Sequence, residues 1–172
     1  MRQRSSSGAD AAGRSLPWVW VAAVLGLVHA AFSAYWALGG QWLLDTVGHW
    51  AVDLRASSPR SAGTGLGLIA LVKVAAALIP VAVTRGRFPL PRLWRVVSWI
   101  GSIGLILYGG ANTLVSNLVL LGVMGDGAFD RAAMIGHAWL WDPLFLLWGL
   151  ALLIHLVLSR SLIPRAPARS RG

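Results

Sequence analysis

Residues 96–124 read VVSWIGSIGLILYGGANTLVSNLVLLGVM, 29 positions without one formally charged side chain. A helix needs about 20 mostly apolar residues to cross roughly 30 Å of hydrocarbon, so this stretch spans a bilayer with length left to tilt. Three further runs flank it. Residues 16–38 carry no formal charge beyond whatever His29 holds, residues 65–83 are interrupted only by Lys73, and residues 132–158 contain His137, Asp142 and His155. The expected fold class is all-α, a four-transmembrane-helix bundle.

Composition agrees. The 172 residues leave room for one domain, 56 % of them are apolar and only 12 % are charged. A soluble domain carries about 25 % charged residues, so soluble, disordered and fibrous classes are excluded. There is no cysteine, which removes disulfides, thiolate nucleophiles, thiolate metal sites and c-type haem attachment. The first run follows a basic start, as a signal peptide does. It exceeds the h-region length of about 7–15 residues, although the small residues from Ala31 to Ala34 keep a cleavage site open.

Arginine placement sets the orientation. Eleven of the fourteen arginines precede the first span, join the second to the third, or follow the fourth. Positive loops stay inside, so both termini are expected in the cytoplasm of a multi-pass cell-membrane protein. Residues 1–15 and 159–172 are expected as disordered basic tails around a transmembrane domain of residues 16–158. The net charge of +9 is then attraction to lipid headgroups, and no nucleic-acid partner is expected. Between spans one and two, Trp42, Leu43, Val47, Trp50 and Leu54 alternate with Asp45, His49 and Asp53. This pattern predicts a short amphipathic helix over residues 41–54 at the outer interface.

Ionisable residues inside a span face a bundle interior or a cavity. At about 1.5 Å per residue, His29, Lys73, Asn112 and Asp142 all lie about 12–13 Å from the outer ends of their helices. Lys73 is the only lysine and Asp142 the only carboxylate within a span. Pairing would cancel both charges, which predicts a Lys73–Asp142 contact with His29 and Asn112 beside it. The helix faces fit: Gly26, His29, Ser33 and Trp36 share a stripe on span one. On span two the stripe is Leu66, Ala70, Lys73, Ala77 and Pro80, and on span three Tyr108, Asn112 and Ser116 follow at i, i+4 and i+8. Gly101, Gly104, Gly109 and Gly110 extend a surface for close helix approach. Pro143 deprives the Trp139 carbonyl of its helical donor, so a side chain or water must satisfy it. His137 lies about 140° around an α-helix from Asp142, so the two do not converge. With that spacing no metal site is expected, nor any cofactor. A buried Lys–Asp pair is as common in structural glue as in catalysis.

The motifs Tyr35-Trp36-Ala37-Leu38-Gly39-Gly40 after His29, Tyr108-Gly109-Gly110-Ala111-Asn112, and Gly136-His137 leading to Leu140-Trp141-Asp142-Pro143-Leu144 resemble a bacterial family. It comprises small four-helix membrane proteins catalogued only as a domain of unknown function. The resemblance covers about residues 20–158. It implies the four-pass fold, directs attention to His29, Asn112 and Asp142, and brings no reaction with it.

Three functions compete. The first is a membrane-embedded enzyme or lipophilic-ligand binder: Asp142 or His29 is the acid/base, Lys73 keeps the carboxylate ionised, and Asn112, Tyr108, Ser116 and Trp36 bind substrate. The second is a small proton-coupled transporter, against which a lysine neutralising the carboxylate would count. The third is an accessory subunit whose polar centre is structural. No Walker loop, dinucleotide fingerprint, His-Glu-x-x-His or Gly-x-Ser-x-Gly motif is present.

Overall fold

Pro59 and Pro91 decide where two of the long helices begin. Proline fixes φ near the helical value, and its missing N–H is no loss in a first turn. The computed structural model describes residues 3–125 and 129–162. Helix α1 covers Gln3–Ala37, α2 His49–Ser57, α3 Pro59–Thr84 and α4 Pro91–Leu120. Helices α5 (Arg131–Gly136) and α6 (Asp142–Leu158) are joined by a π-helical turn, His137–Trp141. Short 3-10 turns occupy Asp45–Val47 and Ser159–Leu162.

Four apolar segments, Gly13–Ala37, Pro59–Thr84, Pro91–Leu120 and Arg131–Leu158, contain 25, 26, 30 and 28 residues. At 1.5 Å per residue they are about 37–45 Å long, enough to cross hydrocarbon of about 30 Å. This is a multi-pass membrane protein by length and composition. The boundaries differ from expectation in both directions. Helices α3 and α4 start earlier, at their prolines, and α4 stops at Leu120, ahead of Gly122 and Gly125 with φ +71° and +94°. Helix α1 begins at Gln3, inside the segment expected as a disordered tail, and the chain remains helical after Leu158 through Leu162. The rest of the C-terminal tail lies outside the described residues.

The distribution of polarity is inverted relative to a soluble protein. Large apolar side chains such as Leu71, Val72, Ile100 and Leu107 point outward, each more than 65 % exposed. Ser15, His29, Ser33, Ser102, Asp142 and His155 are buried. Between helices in lipid, van der Waals fit and hydrogen bonds replace the hydrophobic effect as the cohesive force. Helix α1 packs along both α3 and α6, and α4 packs along α6, whereas α3 and α4 meet over only a short stretch.

The expected stripes on α1 and α3 face inward. On α4 the buried positions are Ser98, Ser102, Gly109 and Ser116, so Tyr108 falls outside the stripe and is half exposed. With Gly149 on α6, Gly109 sets the α4–α6 distance. A Cβ there would lie 2.6 Å from both the Asp142 carbonyl and the Leu146 nitrogen. Gly101 and Gly104, expected in the same close-packed surface, instead have open space where a side chain would be.

Candidate functional site

Asp142 is 1 % exposed, and its Oδ2 lies 2.7 Å from His137 Nδ1. Regular α-helical spacing would hold these residues apart, so the expectation that they do not converge is corrected by the helix itself. Pro143 has no N–H, and its ring conflicts with the carbonyl four residues back. The chain accommodates it with the wider π turn over His137–Trp141. A π turn closes i to i+5 and places His137 and Asp142 on one face. His137 Nε2 also approaches the Val47 carbonyl at 3.3 Å. Both of its partners are acceptors, so an imidazole carrying both protons satisfies them and balances the carboxylate.

Lys73 goes elsewhere. Its Nζ lies 3.0 Å from His29 Nδ1 and 2.9 Å from Ser33 Oγ, and it stands 5.4 Å from the centre of the Phe145 ring. Among the described residues it forms no ion pair with Asp142. The predicted Lys73–Asp142 contact is therefore not made, because each group has a nearer partner on its own side. Ammonium can only donate, so His29 Nδ1 accepts and the imidazole proton sits on Nε2.

The two halves meet through aromatic rings. The His29 ring lies 3.9 Å from Phe145 and 5.9 Å from Trp141, the residues that bracket Asp142. Among the described residues, two atoms in this layer are buried without a hydrogen-bond partner, His29 Nε2 and Asp142 Oδ1. One is a donor and the other an acceptor.

The remaining expected site residues separate. Asn112 is half-buried on α4 and reaches the neighbouring Tyr108, bonding neither Lys73 nor Asp142. Tyr108 packs edge-on against Phe145 at 5.6 Å. Ser116 is buried further along α4. Trp36 is buried, but its indole N–H donates to the Trp42 carbonyl at 2.9 Å, which commits it to holding the loop after α1.

That loop roofs the site. The Trp141 indole donates to Thr46 Oγ1 at 3.0 Å, and Thr46 Oγ1 donates to the Leu43 carbonyl at 2.6 Å. Gly136 lies so close to the Thr46 backbone that a Cβ could not be accommodated. The roof is not one amphipathic helix over residues 41–54. Leu43 and Gly48 have φ +61° and +131°, and α2 starts only at His49.

Asp130 ties the roof down from the opposite loop. Its Oδ1 accepts from the Ala133 N–H at 3.1 Å as the N-cap of α5, and its Oδ2 accepts from the His49 N–H at 3.0 Å. These bonds, the Ala133 N–H foremost, hold its carboxyl below the ordinary value of 3.8. A depressed carboxylate adds stability above its unfolded pKa, and that stability is lost as the pH falls through the folded value. Asp130→Ala is expected to cost about 1 kcal/mol, the usual loss for an N-cap. It would appear as faster amide exchange in α2 and α5, and acidification below about pH 4 should reproduce the effect in the unaltered chain.

Among the described residues no group of three or more His, Cys, Asp or Glu side chains could hold a metal ion. His137 was the member of the polar layer missed from sequence, and the Asp142-Pro143 pair was the signal that could have found it.

The family described as "Protein of unknown function (DUF3995)" matches residues 18–152, from the start of the first span to the last third of α6. The chain belongs to this family. Its matched region contains His29, Lys73, His137 and Asp142, the whole polar layer. No curated protein and no solved structure matches the chain.

Proposed function

We propose that this chain is a cell-membrane protein, with both termini cytoplasmic, whose polar layer takes the polar end of a lipophilic molecule and acts on it as an acid/base site. The observation that carries this reading is the pair of buried, unpartnered atoms, His29 Nε2 and Asp142 Oδ1. A buried polar atom left unsatisfied costs about 1–3 kcal/mol. The histidine atom calls for an acceptor and the carboxylate atom for a donor, and hydroxyl groups on the polar end of a ligand supply both. Lys73 fixes the His29 tautomer, His137 orients the carboxylate, and Asp142 is the proposed base. Asn112, Tyr108 and Ser116 would line the approach from α4, and Trp36 acts only through the roof. With the termini inside, the roof over residues 41–57 lies at the outer interface.

The test is extraction of lipophilic molecules from the chain purified in nanodiscs, followed by mass spectrometry. A hydroxylated species retained by the unaltered chain and lost from His29→Phe and Asp142→Asn, both still folded, is the expected result. Identical content in all three would leave the polar layer as structural glue, the accessory-subunit reading. That alternative draws on His137, Lys73, Trp36 and Trp141, each of which has a hydrogen-bond partner within the chain. A proton-coupled transporter draws support from the lack of a lysine on Asp142. Liposome flux driven by a pH gradient would identify it.

A further inference from the structure

The end of the molecule where the α1 span begins and α6 ends has its own chemistry, independent of the polar layer. A pocket of about 660 Å³ opens there between the first turns of the α1 span, the end of α3, the start of α4 and the end of α6. That volume is within the range of small-molecule sites, about 300–1,000 Å³. Arg92 and Arg95 line it, with His155 and Thr84, and among the described residues no carboxylate does. Arg95 donates to Ser159 Oγ at 3.0 Å and to the Leu156 carbonyl at 2.7 Å. A guanidinium has five N–H donors, so these bonds fix Arg95 and leave donors over. Arg92 is exposed and bonded to none of the described residues.

The pocket does not end at the arginines. Pro80 and Ser98 border both it and an almost wholly apolar slot of about 100 Å³, formed by Ala76, Ile79, Val97 and Gly101 among others. The slot exists because α3 and α4 meet over only a short stretch and because Gly101 presents no side chain. A basic mouth thus continues into an apolar crevice between two lipid-exposed helices.

We infer that this continuous groove binds a phospholipid of the surrounding bilayer with an anionic headgroup, its phosphate at Arg92 and Arg95 and part of one acyl chain in the slot. Basic pockets between membrane helices hold such headgroups by charge. Arginine also matches phosphate in geometry, through parallel N–H donors. The C-terminal residues 163–172 are an unsuitable occupant, since they add three arginines and no acidic side chain. A free anion would leave the slot unused.

The test is native mass spectrometry of the full chain released from phosphatidylcholine nanodiscs containing phosphatidylglycerol. Retention of phosphatidylglycerol in preference to phosphatidylcholine is expected. Arg92→Gln should weaken it about fivefold, the effect of one surface arginine on anionic lipid. Gly101→Leu should fill the slot and abolish retention without lowering the unfolding temperature, because nothing lies within 4 Å of a Cβ there. Arg87, which is exposed and does not line the pocket, supplies the control: Arg87→Gln should leave retention as it is. The inference is overturned by equal retention of the two lipids, or by displacement with inorganic phosphate alone. It is equally overturned by an Arg87→Gln effect matching Arg92→Gln, the mark of unspecific surface charge. Should Gly101→Leu fail to fold, the comparison of Arg92→Gln with Arg87→Gln decides the matter.

Discussion

Exchanging Asp142 for alanine is expected to lower stability by about 3–5 kcal/mol, the usual consequence of removing one partner from a buried pair. The carboxylate is 1 % exposed and is held at 2.7 Å by His137, whose other nitrogen meets only the Val47 carbonyl. Without Asp142, a charged imidazole would face a carbonyl alone, and either it loses its proton or the π turn rearranges. Asp142→Asn keeps an acceptor oxygen for His137 and should cost clearly less. Unfolding in detergent, followed by far-ultraviolet circular dichroism, measures both. A cycle with His137→Phe should return a coupling of about 0.5–3 kcal/mol, the range for residues in direct contact. No coupling would mean that the bond between the two side chains contributes nothing to the fold.

Lys73→Met should move stability in the opposite direction. Among the described residues the ammonium has only neutral partners, His29, Ser33 and the Phe145 ring. A lysine at the middle of a membrane helix costs about 2.5–3.5 kcal/mol on insertion scales, and each of its two hydrogen bonds returns about 1 kcal/mol. Replacing it by an unbranched apolar side chain of similar length is expected to stabilise the chain by about 1 kcal/mol in the same unfolding measurement. The same variant releases His29 from its fixed tautomer, so retention of a hydroxylated ligand should fall as stability rises. A gain in stability bought with a loss of function is the mark of a residue kept for its chemistry. Loss of stability would assign Lys73 to the architecture.

The spans were legible because hydrocarbon thickness imposes a length that 29 uncharged residues satisfy on sight. The inward stripe of Gly26, His29, Ser33 and Trp36 was legible because α1 is regular there, and a 3.6-residue period projects it correctly. The pairing of the polar residues was not legible for two separate reasons. Placing Lys73 and Asp142 at one depth says nothing about azimuth, and His29 and Ser33 lie directly beside the lysine on the neighbouring helix. His137 and Asp142 were separated on the assumption of an unbroken α-helix, which the proline at 143 does not allow. The roof was hidden for a third reason. Its contacts, Thr46 with Trp141 and Val47 with His137, join residues 95 and 90 positions apart, and only the folded chain brings them together.

The turn preceding Asp142 holds one residue more than an α-helical turn would. Shortening the chain by a single amino acid within His137–Trp141 would take away the slack that accommodates Pro143, whose ring would again meet a carbonyl four residues back. Trp148, Gly149 and His155 would still point at their present neighbours, since everything C-terminal to the cut keeps its rotation about the axis. Only the partnership at the N-terminal side would dissolve. The extra residue therefore works as a spacer, separating the part of this rod that packs along α1 and α4 from the part that carries the imidazole.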